Sequence, residues 1–161
     1  MVRFFILLIL CLTALKIYAV FSTTFGLFGD EAQYWLWSQD LDFGYLSKPP
    51  LIAWALYFYT NLFGNSFESL KLFPIIFYFF TSAAIYNFCR KLDLQKSISL
   101  ICAFSFLVMP AVSVSSFLIS TDVILLLFWI LSMSVLIEIR KEPSLKNFIV
   151  FGIMLGLSFL T

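Results

Sequence analysis

Long apolar runs separated by short charged clusters make up most of this chain. The runs fall at about 4–21, 70–89, 97–112, 121–139 and 147–161. They approach or exceed the length of about 18 residues that crosses roughly 30 Å of hydrocarbon. The pattern therefore predicts an all-α fold, a polytopic transmembrane helical bundle of about five spans within a single membrane domain covering 1–161. Between the first two runs, residues 22–69 are mixed and predict a long loop carrying juxtamembrane helices. One of these is 51–63, LIAWALYFYTNLF, which follows Pro49-Pro50 as a helix's first turn would. It is too short to span, and Trp54, Tyr57 and Tyr59 suit the membrane interface.

Charge orients the bundle. Arg3, the Arg90/Lys91/Lys96 cluster and the Arg140/Lys141/Lys146 cluster all fall on one side if 51–63 stays out of the membrane. The positive-inside rule makes that side cytoplasmic. The N-terminus is then cytoplasmic, the first span is expected to remain uncleaved, and loops 22–69 and 111–121 emerge together on the outer face. Lys16, near the outer end of the first span, is expected to extend its ammonium to the headgroups.

Composition narrows the class. With 62% hydrophobic and 12% charged residues, the chain cannot hide its apolar surface in one small soluble core. A net charge of +1 and the lack of a basic stripe argue against nucleic acid as a partner. There is no histidine, and Cys11, Cys89 and Cys102 are scattered through apolar runs, so they read as packing residues rather than a zinc or disulfide framework.

The stretch 29–54, GDEAQYWLWSQDLDFGYLSKPPLIAW, breaks this pattern: it holds four of the nine carboxylates and three of the four tryptophans. Asp30-Glu31 opens a short predicted helix with Tyr34 and Trp37 near one face. Acids there can simply favour the helix macrodipole, or one of them can take a proton from an attacking nucleophile. Neighbouring side chains diverge by about 100° on a helix, so Asp30 and Glu31 are not expected to share a task. Lys48, on the stiff backbone before Pro49-Pro50, either meets lipid headgroups or binds one phosphate. Asp122, after Ser120-Thr121, either caps the fourth span or brings a second acid to the outer face.

Together, GDEAQYWLWSQD, the Gly-Tyr-x-x-x-Pro-Pro stretch at 44–50 and STDVILLLFWILSM at 120–133 resemble the membrane-embedded GT-C glycosyltransferases. The likeness is to the family 39-like bacterial branch related to protein O-mannosyltransferases and the lipid A aminoarabinose transferase. It implies transfer of a sugar, usually with inversion, from a polyprenyl-phosphate carrier to a lipid, glycan or protein acceptor at the outer face of the bacterial inner membrane. By position, Asp30 corresponds to the acid that activates the acceptor, with Glu31 beside it and Asp122 as the second outer-loop acid. Lys48 corresponds to the basic residue at the carrier phosphate, and Tyr34 and Tyr45 are implied as substrate contacts. No cofactor is firmly expected. Ser47 stands where some relatives carry an acid or another polar ligand, which counts against a metal beside Lys48, and use of a divalent metal elsewhere is left open. Members of the family have about a dozen spans, so this chain is expected to be the N-terminal part of such an enzyme, inactive unless a second chain supplies the remainder. The alternative is a noncatalytic small membrane protein that binds a lipid carrier or a transporter partner.

Overall fold

The computed structural model describes residues 2–23 and 26–161, and among these the secondary structure is helical with no strand. The helices are α1 (Val2–Ser22), α2 (Gly29–Gln39), α3 (Leu51–Phe63), α4 (Phe67–Lys91), α5 (Lys96–Val108), α6 (Pro110–Ser115), α7 (Thr121–Lys141) and α8 (Leu145–Phe159). Of these, α1, α4 and α7 are long and apolar enough to cross a membrane. The other apolar runs give shorter helices. At 13 and 15 residues, α5 and α8 rise only about 20 Å at 1.5 Å per residue.

The run at 97–112 does not form one helix, because Pro110 interrupts it. The residue before a proline is pushed into extended backbone, and Met109 sits at φ −54°, ψ 132°. A new helix, α6, then starts with Pro110 in its first turn, where a missing N–H costs nothing. Helix α3 matches its predicted range and buries one side completely through Ile52, Ala53 and Leu56, while Phe58 and Leu62 stay exposed. It ends at Gly64, whose φ of +85° is a conformation that glycine tolerates best. Ser66 then caps α4 by accepting from the Ser69 amide at 3.1 Å.

Helix α4 is the central element, packed against α1, α3, α5 and α7, while α8 lies on α7 and α2 on α3. The core gathers Ile52, Leu56, Phe73, Tyr78, Ile119 and Val123 where α3, α4 and the start of α7 meet. In lipid such a bundle is held by close packing and by satisfied polar groups. Ser82 illustrates the second, donating from α4 to the Ala103 carbonyl of α5 at 2.9 Å.

The basic end of the bundle is stitched by Lys91 to Glu138 at 2.5 Å, with Lys141 donating to the Lys91 carbonyl at 2.8 Å. These side chains are partly exposed, so each link adds little stability. Lys16 departs from expectation. It turns inward, 8% exposed, and donates to Ser116 Oγ at 2.8 Å and to the Leu107 carbonyl at 3.2 Å. The orphan carbonyls at the C-terminus of α5 offer a cation a closer partner than the headgroups do.

Candidate functional site

At the end opposite the basic clusters, the 26–50 region and the turn between α6 and α7 come together, and the contact is built on Glu31. Helix α2 starts after Phe28, and Glu31 at its third position reaches back so that the Phe28 amide donates to Oε2 at 2.8 Å. The side chain is 1% exposed. Lys71 of α4 donates to both carboxylate oxygens, at 2.8 and 2.6 Å, and the Ile119 amide donates to Oε1 at 2.9 Å. Lys71 also donates to the Phe117 carbonyl at 3.1 Å and lies near the rings of Phe28 and Phe67. Three segments distant in sequence are thus tied at one ion pair.

Its neighbour Asp30 points the other way and is exposed, as their divergence on the helix requires. Asp122, in the first turn of α7, is exposed as well. Tyr34, one turn beyond Asp30 on α2, is 6% exposed. Burial pushes the Tyr34 phenol above its ordinary value, and the carboxylates of Asp30 and Asp122 push it further the same way. Both acids therefore act on one buried phenol, which stays protonated and able to donate. Among the described residues no three of His, Cys, Asp or Glu come together.

The other two predicted contacts lie beyond the far end of α2. Tyr45 stacks on Trp37 at 4.7 Å and 11°, and its hydroxyl donates to the Trp37 carbonyl at 2.9 Å and accepts from the Asp42 amide at 3.1 Å. Its polar tip is thus used to fold the loop. The Tyr45 amide donates to the Lys48 carbonyl at 3.1 Å, closing the turn before Pro49 and leaving the Lys48 side chain exposed. No ion pair joins Lys48 to Asp30 or Asp122 among the described residues. The amide of Leu51 donates to the Leu160 carbonyl at 2.9 Å, which sets this turn against the end of α8.

An apolar cavity of about 610 Å³ opens beside the Glu31–Lys71 pair. Its walls come from α1 (Ala19, Val20), from Phe28 and Phe67, and from the α6 region (Val114, Phe117), with Lys71 as its one charged lining residue. Phe28 and Phe117 bring the segments that precede Asp30 and Asp122 to the cavity wall.

The sequence of the dolichyl-phosphate-mannose-protein mannosyltransferase family matches residues 47–161, which include Lys48 and Asp122. The chain belongs to that family. The GT-C resemblance drawn from the motifs is borne out by this match and by two relatives. One is a lipid A galacturonosyltransferase of Rhizobium johnstonii, 38% identical over 83% of this chain. The other is an undecaprenyl phosphate-alpha-4-amino-4-deoxy-L-arabinose arabinosyl transferase of Wigglesworthia glossinidia brevipalpis, 30% identical over 75% of this chain. The chain spans 28% and 22% of the length of these relatives. No solved structure matches it. With three helices able to cross a membrane and membrane glycosyltransferases as relatives, this family member is a multi-pass membrane protein.

Within this mannosyltransferase-family chain, Asp30, Asp122 and Tyr34 converge, Glu31 is turned into the interior, and Tyr45 and Lys48 sit apart from them. The sequence reading missed Lys71 as the partner of Glu31. A signal was available: Lys71 lies inside an apolar run, between Leu70 and Leu72, and a cation in such a place needs an acid or a carbonyl.

Proposed function

We propose that these residues form part of the active site of a glycosyltransferase that moves a sugar from a polyprenyl-phosphate donor to an acceptor at the outer face of the bacterial inner membrane. The observation that carries the reading is the contact of Glu31 with Lys71 and the Ile119 amide, which brings the Asp30 turn and the Asp122 turn to one end of the bundle beside an apolar cavity. The printed name of the galacturonosyltransferase makes lipid A the favoured acceptor, and that of the arabinosyl transferase supports a polyprenyl-phosphate donor. Because the chain spans about a quarter of their length, the proposal covers the part of the site that these residues supply.

In this reading Asp30 accepts the proton of the acceptor hydroxyl as its oxygen attacks the anomeric carbon. The bond from that carbon to the carrier phosphate breaks, and the phosphate leaves with the electron pair. Tyr34 and Asp122 orient the incoming acceptor through a donated and an accepted hydrogen bond, while Lys48, exposed beyond the far end of α2, stands apart from this step. The first isoprene units of the carrier occupy the apolar cavity.

Two experiments test this arrangement apart from the acid itself. Val114, exposed on α6 and lining the cavity, can be replaced by Trp. If Val114→Trp displaces about two methylenes of the carrier, at roughly 0.8 kcal/mol each, the donor KM rises roughly tenfold with kcat little changed. An unchanged KM removes the carrier from this cavity. The orientation has its own test: a reporter fused after Lys48 reads as external and one fused after Arg140 as cytoplasmic. The reverse pattern would put the acidic face on the wrong side for this reaction.

A further inference from the structure

We propose that Glu31 and Lys71 form a positioning clamp that sets the Asp30 turn against the Asp122 turn, and that Glu31 takes no part in proton transfer. The inference rests on the glycosyltransfer reading and assigns separate tasks to the two adjacent acids. A carboxylate offers about four lone-pair sites. On Glu31 they meet two contacts from Lys71, one from the Phe28 amide and one from the Ile119 amide. The ammonium of Lys71 has three protons, and they are directed at the two Glu31 oxygens and the Phe117 carbonyl. Neither group has capacity left for a substrate, and at 1% and 5% exposure neither is reached from solvent. A general base needs a free lone pair aimed at the proton it removes. Asp30 has that freedom and Glu31 does not.

The same bonds place the clamp where it governs the separation of the acids. Glu31 is covalently next to Asp30, and the Ile119 amide that it binds is three residues before Asp122. Lys71 anchors both from the central helix and, through Phe117, holds the turn that Asp122 follows. A buried ion pair resists sliding, because moving either turn leaves a buried charge without its partner, which is how such pairs fix register.

The test uses the detergent-solubilised protein and membranes carrying it. In Glu31→Gln/Lys71→Met, where no buried charge is left unpaired, the peptides containing Phe28 and Ile119 are expected to exchange amide hydrogens faster than in wild type. Its kcat is expected to fall about 100-fold, as a misplacement near 1 Å does, with the donor KM within about twofold. Adding Asp30→Asn to that background costs less than it does alone, and Lys71→Arg retains most of the activity. Wild-type kcat in the double variant, or unchanged exchange at both peptides, would overturn the clamp. So would loss of transfer in Glu31→Gln with both amides still protected, since Glu31 would then be the base. An Asp30→Asn variant as active as wild type would instead remove Asp30 as the base, and no transfer by the wild type would overturn the transferase reading; in either case the exchange measurement decides the clamp alone.

Discussion

Asp30→Asn is expected to lower sugar transfer about 1,000-fold, the range in which a positioned general base contributes, while the protein inserts and folds as wild type. The two halves of that expectation have separate causes. Asparagine keeps the size and hydrogen-bonding shape of aspartate but cannot take up a proton at neutral pH. The fold is indifferent because Asp30 is exposed and its carboxylate makes no hydrogen bond or ion pair with the described residues. The variant also removes one of the two carboxylates that push the Tyr34 phenol up, so Tyr34 ionises at lower pH than in wild type. Initial rates with a saturating lipid-linked donor, beside a protease-protection profile of the same membranes, measure both halves. A normal rate would remove Asp30 from the chemistry.

Lys71→Met is expected to destabilise the protein by about 3 kcal/mol, since removing one partner of a buried pair leaves the other charge uncompensated. The site makes the penalty concrete: with Lys71 gone, Glu31 keeps two backbone donors but loses the cation at 2.6 Å. Adding Glu31→Gln is expected to recover most of that loss, because a neutral amide costs far less to bury than a charge. Thermal unfolding of the two variants side by side, followed by near-UV absorbance in detergent, reads the difference. A single variant no less stable than the double would mean that Glu31 is not held as an ion there. The two predictions differ in kind, one reducing rate at constant stability and the other acting on stability.

The helices were legible in the sequence because the chain consists of apolar runs ended by charged clusters. The predicted ends of the first, second and fourth runs lie within about three residues of α1, α4 and α7, the usual latitude for helix boundaries. The break at Pro110 was only half legible. The proline marks where α5 stops, but that α6 restarts at once depends on packing against α5 and on the Lys16 contacts at Leu107 and Ser116. Lys16 itself was misjudged because snorkelling assumes that the headgroups are the nearest polar partner, and here a helix C-terminus is closer.

The sequence offered Asp30 and Asp122 as candidate acids and set both on the outer face, but not the contact that ties their turns together. Asp30 stood out in the polar stretch 29–54 and Asp122 at the start of an apolar run, and what ties their two turns is the Glu31 contact with the Ile119 amide. The divergence expected of the neighbours Asp30 and Glu31 is what the structure has, one turned outward and the other into the core. Lys71 escaped notice as a partner because its acid lies 40 residues away, and no local pattern links them.

The most direct measurement is transfer itself. Native membranes carrying the protein, or its Asp30→Asn variant, are incubated with a radiolabelled polyprenyl-phosphate sugar, and the label is followed by lipid extraction. The account predicts that in wild type the label leaves the donor and enters the lipid A fraction with release of polyprenyl phosphate, and that in the variant it stays on the donor. Label retained on the donor in both membranes, or moved equally in both, would contradict it.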